Sequence, residues 1–296
     1  MVLWASCYPL ITIGLDSAPH LTFAAMRAAI AGSLLLGVAL VLRRSFPTDR
    51  QVWGWIILAG FGMTGLGYYG MFHAAEFVSP GLATVIANSQ PLIAAMLAFL
   101  LLGERLSKWG WFGLLLGFLG ILVIAAPQIL EGPISITTGL FYVMLAASGV
   151  AVGNIAIKKL AGRVDAAMAM GLQLLIGALP LGLIAGLTEI PSDIEWSPKF
   201  ILSLLGLSIP GTAIAFWLWQ VTLSKLELSK ANVFSFLVPV FGLTIGSVFF
   251  GERLTLLIAG GTVIATAGVL ITTARFSTDA RGNEPSGAGT DLSERA

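Results

Sequence analysis

The side chains that carry chemistry in this sequence are few, and most stand alone inside long apolar stretches. Arg27 lies within P-H-L-T-F-A-A-M-R, with no other charged residue near it. A guanidinium offers five donors in a planar fork, the geometry that grips a carboxylate. The same side chain can also snorkel to an interface or bond backbone carbonyls, so a binding role and a structural one both stay open. Asn88 and Gln90 stand just before Pro91. Proline removes a backbone donor, so a freed carbonyl and two amides together make a candidate polar patch. Tyr8, Asn154, Gln173 and Gln220 are further polar groups in apolar surroundings, joined by the indoles of Trp4, Trp217 and Trp219. Amides also link helices by hydrogen bonds, and that reading suits Asn154 and Gln173 better. Trp217 and Trp219 fall inside one apolar stretch and project differently, so one of them is the candidate to face inward. His73 and Glu76, one turn apart, have the spacing of a proton-sensitive pair or of a solvated loop edge.

The missing chemistry narrows the function further. No G-x-x-x-x-G-K-[ST] loop is present to bind a nucleoside triphosphate, and no nucleophile motif points to a hydrolase. No His, Cys and carboxylate cluster has metal-ligand spacing, so neither a metal nor another cofactor is expected. The single cysteine, Cys7, excludes an internal disulfide and reads as a small packing residue. Basic residues are scattered over short loops and the net charge is only +1, so nucleic acid is not an expected partner.

The elements that position these groups follow from the solvent. Apolar residues are 57% of the 296 and charged residues 10%, against roughly 25% charged in a soluble domain. Uncharged runs long enough to cross the hydrocarbon recur along the chain. They predict helices near 2–15, 21–42, 53–72, 81–102, 109–126, 138–157, 166–188, 199–222, 231–250 and 255–274, the first of them short for an untilted span. With ten spans, one side collects Arg43, Arg44, Arg50, Arg105, Lys108, Lys158, Lys159, Arg163, Lys225, Lys230, Arg275, Arg281 and Arg295. The other side collects Lys199 and Arg253. The excess of basic residues marks the cytoplasmic face, so both termini are expected in the cytoplasm.

The chain also repeats itself. Residues 83–122 align without gaps onto 231–270, 148 positions later, and G-E-R-L at 103–106 recurs at 251–254. Pro91 and Pro239 fall at equivalent places in the two copies and are candidate hinges. A weaker match 146 positions apart pairs Ala5 with Ala151 and Arg27 with Gln173. Five spans per copy, an odd number, force the second copy to enter from the opposite side. The fold class is thus an all-α integral membrane protein of ten transmembrane helices in two inverted five-helix repeats. Residues 1–126 form the first repeat, 127–136 a linker loop, 137–275 the second repeat and 276–296 a disordered cytoplasmic tail. Such folds hold substrate near the midplane between repeats. Glu104-Arg105 and Glu252-Arg253 read as turn-stabilising charges, and Gly113, Gly117, Gly242 and Gly246 as sites of close helix contact, Gly113 equally of a dimer contact.

Two five-helix halves, each with a proline in its fourth helix followed by a G-E-R-L turn, resemble the drug/metabolite transporter superfamily, and within it the ten-span bacterial EamA-type branch. Trp4-Ala5-Ser6, where that family often has Trp-Gly-Ser, and Arg27 in the second helix add to the likeness, which covers residues 2–275. The resemblance implies a secondary transporter of the cell inner membrane, an exporter or exchanger of small metabolites, amino acids or drugs. It further implies a central cavity lined by helices one to four and six to nine. A channel, an intramembrane enzyme or a scaffold is the alternative. A small-molecule substrate and the lipid bilayer are the expected partners; nothing in the sequence fixes the oligomeric state.

Overall fold

A chain with this little charge meets lipid, where every backbone N–H must find its acceptor inside its own segment. The computed structural model describes residues 1–102, 107–130, 134–190, 193–225, 237–252 and 254–281, and every regular element among them is helical. In chain order they are α1 (Val2–Leu15, with a turn at Ser6), α2 (His20–Val41), α3 (Arg50–Ala74), α4 (Pro80–Ala87) and α5 (Gln90–Leu102). Then come α6 (Lys108–Leu130), α7 (Ile134–Leu160), α8 (Ala166–Thr188), α9 (Pro198–Lys225), α10 (Leu237–Phe250) and α11 (Leu256–Arg281). Among the described residues six stretches are long and apolar enough to cross a membrane: α2, α3, Pro80–Leu97, α7, α8 and α9. Four shorter apolar helices accompany them, Val2–Leu15, Lys108–Ile124, Val238–Phe250 and Leu256–Ile271.

Polar residues at the loop boundaries start the helices. The side chains of Asp49, Asp165 and Ser197 each accept from backbone N–H groups of the turn that follows, satisfying donors a helix start leaves unpaired. Outward faces are apolar: Leu179, Leu183 and Leu187 form an exposed stripe along α8, as lipid requires.

Two interior helices depart from α geometry. A π-helical turn interrupts α3 at Gly60–Leu66 and another interrupts α9 at Ile209–Ile214. The first is rich in glycine and the second contains Pro210, which has no N–H to give. The glycines of the first also admit close neighbours. A Cβ on Gly60 would come 2.7 Å from the Gln173 carbonyl oxygen of α8, and one on Gly62 3.0 Å from the Gly149 carbonyl oxygen of α7. Close glycine contacts continue at the periphery of the bundle, where α6 and α11 run antiparallel: Gly117 meets Gly268, and Gly120 meets Gly261 and Ala265. Gly113 belongs to this same contact, through its carbonyl oxygen against Gly268. Gly242 packs on Thr84 of α4 and Gly246 on the Glu252 side chain, which accepts from the Gly81 N–H at 2.8 Å and so caps α4.

Some boundaries differ from expectation. α6 continues through Pro127 to Leu130 and α7 starts at Ile134, so both helices reach into the linker placed at 127–136, and residues 131–133 lie outside the described residues. A proline within a helix bends it without having to end it. α11 runs to Arg281, past the expected start of the tail at 276, and the first breaker after it is Gly282. The G-E-R-L turn at 103–106, Arg253 of its copy, Lys230 and residues 282–296 also lie outside the described residues. The stretch Pro80–Leu97 is interrupted at Asn88-Ser89, two to three residues before Pro91, which is the second residue of α5. Pro239 is the third residue of α10, preceded by residues 226–236, which are not described.

Candidate substrate cavity

Arg27 sits two turns into α2 and is buried to 1% exposure, the largest fully buried side chain described. Its Nε donates to Thr212 Oγ1 in the π turn of α9 at 2.8 Å. The two terminal nitrogens reach only sulfur, Met71 Sδ at 3.6 Å and Cys7 Sγ at 3.4 Å. The guanidinium also lies 4.3 Å over the Tyr68 ring, whose hydroxyl meets Thr212 Oγ1 at 3.2 Å. Beside Arg27 opens a cavity of about 140 Å³ in the middle of the bundle. Its polar wall includes Tyr8, Asn88, Gln90 and Asn154; its apolar wall includes Trp4, Met63, Phe216 and Trp219. The Trp4 ring stands edge-on to Trp219 at 5.1 Å, and the Trp219 indole N–H donates to Asn154 Oδ1 at 2.9 Å. Pro91 has no N–H to return to the Ala87 carbonyl, and Ala87, Asn88 and Gln90 at that break all line the cavity.

Of the residues singled out from sequence, the fold brings together Arg27, Tyr8, Trp4, Asn88, Gln90, Asn154 and Trp219. Three are placed elsewhere. Trp217 is 42% exposed on the outer face of α9, because a helix turns its neighbour-but-one well away from Trp219. Gln220 is buried outside the cavity wall with its Oε1 unpartnered. Gln173 links helices: its Oε1 accepts from Thr64 Oγ1, in the π turn of α3, at 2.8 Å. That bond mirrors the one at Arg27. Thr64 and Thr212 are 148 positions apart, and Arg27 and Gln173 are 146 apart.

Sequence reasoning found His73 and Glu76 but missed His20 and Glu189, which complete a second cluster at the end of the bundle where α2 and α4 begin and α3 and α8 finish. His73 Nδ1 faces the Tyr69 carbonyl oxygen at 2.8 Å and so carries a hydrogen. Its Nε2, in the neutral ring, then accepts from His20 Nε2 at 3.0 Å. His20 Nδ1 faces Glu76 Oε1 at 2.6 Å and Glu189 Oε1 at 3.4 Å. One proton therefore lies between His20 Nδ1 and Glu76. The expected pairing of His73 with Glu76 is replaced by one in which each meets His20 instead. The hydrogen bond from His20 holds the Glu76 carboxyl below the usual carboxylate range, against an opposing effect of partial burial. Glu189, just past the end of α8, accepts from the N–H groups of Leu21 and Thr22 and from Thr22 Oγ1 at 2.7–2.8 Å, capping α2 from another helix. This cluster lies about 10 Å from Arg27, seven helical residues away. Sequence spacing announces only the His73 and Glu76 half, since His20 and Glu189 lie far from them in the chain.

These features meet in a protein class that comparison identifies. The sequence profile of the EamA-like transporter family matches residues 1–126 and residues 137–274. The chain belongs to the EamA-like transporter family. As a family member it is a membrane transporter and not an enzyme, in keeping with the drug/metabolite transporter resemblance. It is 32% identical over 275 residues to the "Uncharacterized transporter YvbV" of Bacillus subtilis, covering 92% of this chain and 89% of that protein. It is 29% identical over 282 residues to a "Probable amino-acid metabolite efflux pump" of Salmonella typhimurium, covering 92% and 91%. A crystal structure superposes with a TM-score of 0.70 at 22% identity, covering 92% of this EamA-like chain and 94% of the other, which shows that the fold is shared.

Proposed function

We propose that this chain is a secondary transporter that exports or exchanges small metabolites related to amino acids by alternating access, with the cavity beside Arg27 as its substrate site. The observation that carries the reading is a buried cation facing a cavity at the centre of the bundle, where helices of both halves meet. All ten apolar helices cross the bilayer in this reading, as two inverted copies. The paired bonds Thr212–Arg27 and Thr64–Gln173, the π turns 148 positions apart, and two matches to the family profile support the duplication. The printed name of the Salmonella relative supports the substrate class. With thirteen basic residues on one side and two on the other, both termini face the cytoplasm, and the His20 cluster closes the opposite end.

Purified protein in sealed liposomes, loaded with a metabolite mixture and read by mass spectrometry, should release particular compounds without ATP. A strict requirement for ATP and a partner protein would refute the reading. Cysteines introduced at Ser107 and Thr255 in a Cys7→Ser background should label from opposite sides with an impermeant reagent. Labelling from one side would remove the inverted arrangement.

A further inference from the structure

The hydrogen-bond inventory of the cavity is lopsided. Arg27 carries a full positive charge at 1% exposure, and only one of its five donors meets an oxygen. Sulfur, the partner of both terminal nitrogens, is a weak acceptor. Among the described residues no carboxylate pairs with Arg27 and none lines the cavity. Cys7 does not supply the missing charge. Its Sγ lies 3.4 Å from the Leu3 carbonyl oxygen and 3.7 Å from that of Gly211, and carbonyl oxygens attract a sulfur only through its hydrogen. Among the described residues the Tyr8 hydroxyl, which is buried, has no partner, and neither has the Gln90 amide nitrogen. Asn154 has committed its oxygen to Trp219, which leaves its NH2 group for the cavity. The unpartnered side-chain groups thus include hydrogen donors and, among the described residues, bring no negative charge. An unpaired charge in a membrane interior is strongly unfavourable, and an anionic ligand would relieve it.

Resting on the transporter reading above, we propose that the carried molecule is a monocarboxylate with an apolar body and no free ammonium group. Its carboxylate sits on the two terminal nitrogens of Arg27 and its body lies against Trp4, Phe216 and Trp219. Deaminated or N-acylated derivatives of amino acids have this chemistry. A zwitterionic amino acid fits less well: its ammonium group would leave water for a wall that, among the described residues, offers amide oxygens and aromatic faces but no carboxylate to balance a second charge. Each molecule then crosses with a net charge of −1, so an inside-negative potential drives it outward with no coupled ion.

Three probes of similar shape and different charge test this: 3-phenylpropionate (−1), phenylalanine (zwitterion) and 2-phenylethylamine (+1). Binding is read from the fluorescence of the cavity indoles in detergent. We expect 3-phenylpropionate to bind at least tenfold more tightly than phenylalanine, and Arg27→Gln to abolish that preference. Equal or tighter binding of phenylalanine overturns the proposal, as does a preference that survives in Arg27→Gln. Should that variant not fold, neutral 3-phenylpropionamide on the unaltered protein replaces it; binding equal to that of the acid overturns the proposal, and binding at least tenfold weaker supports it. In liposomes, an inside-negative potassium diffusion potential should accelerate efflux of 3-phenylpropionate above that from protein-free vesicles. Selective binding without flux would overturn the transporter reading and leave the charge assignment standing. Flux of phenylalanine without binding of the anion would do the reverse.

Discussion

Two glycines eight positions apart on α11 ought to respond in opposite ways to one methyl group. A Cβ on Gly268 would overlap the backbone N and Cα of Gly117 and come within 2.6 Å of the Gly113 carbonyl oxygen. These are backbone atoms and cannot rotate aside. Reaching the 3.4 Å of ordinary van der Waals contact requires α6 and α11 to separate by more than about 1 Å along their antiparallel contact. Overpacking of this kind costs about 1–3 kcal/mol, and a contact made only of backbone belongs near the upper end. Alanine returns about 1 kcal/mol of helix propensity, so Gly268→Ala should lose about 2 kcal/mol net. Gly260 has nothing within 4 Å of the same added atom. Gly260→Ala should therefore gain up to about 1 kcal/mol, the propensity term alone. The two variants should differ by about 3 kcal/mol, or about 6–12 °C in unfolding midpoint at the 2–4 °C per kcal/mol typical of chains near this size. Thermal unfolding in micelles, followed by tryptophan fluorescence, measures both. Equal midpoints for Gly268→Ala and Gly260→Ala would mean that α6 and α11 do not touch along these glycines.

Three further outcomes are expected. Thr64→Val should cost about 0.6–1.7 kcal/mol, the range of a hydrogen bond between membrane helices, and Thr212→Val about 1.5–3 kcal/mol, because it removes the one oxygen bonded to a buried guanidinium; equal losses in chemical denaturation would contradict the assignment. Glu76 has its folded pKa depressed by His20, so its stabilising contribution is full above its unfolded value of about 4.5 and fades as pH falls through the lower folded value. Plotted as midpoint against pH below about 4.5, Glu76→Gln should show a shallower decline than the unaltered protein, with His20, His73 and Glu189 still in place around it; identical declines would exclude the contact. Trp217→Leu should leave liposome flux unchanged while Trp219→Leu impairs it, and the opposite ranking would reverse the assigned faces of α9.

The apolar helices and most of the polar groups at the cavity were legible in the sequence for a single physical reason. Lipid makes an isolated polar group expensive, so Arg27, Asn88, Gln90 and Asn154 stand out from their surroundings before any fold is known. That rule finds buried polar groups without saying what they face. It picks out Gln173 and Gln220 as readily as Asn154, although Gln173 spends its oxygen on Thr64 and only Asn154 reaches the cavity. Trp217 and Trp219 are alike in type and surroundings, and their separation depends on the rotation of α9 about its own axis. The His20 cluster was hidden for a different reason. Charged residues at helix ends are ordinary in a membrane protein, and only the packing of α2, α3 and α8 makes three of those ends adjacent. The π turns left one trace, Pro210, in an otherwise regular apolar run.

Those π turns also bear on how the bundle can move. A π turn closes its hydrogen bonds over five residues where an α turn uses four, so each stores one residue more than the surrounding helix requires. It resembles a dislocation in a crystal, a line defect that can glide while the lattice on either side stays whole. As it glides past a residue, that side chain turns about the helix axis by about 100°, one residue's share of an α turn. Neither end of the span has to leave its place in the membrane. Arg27 touches both defective helices: Thr212 lies within the dislocation of α9, and Tyr68 and Met71 lie just beyond that of α3. The one buried cation of the cavity is thus held by side chains whose direction is set by where two mobile defects come to rest.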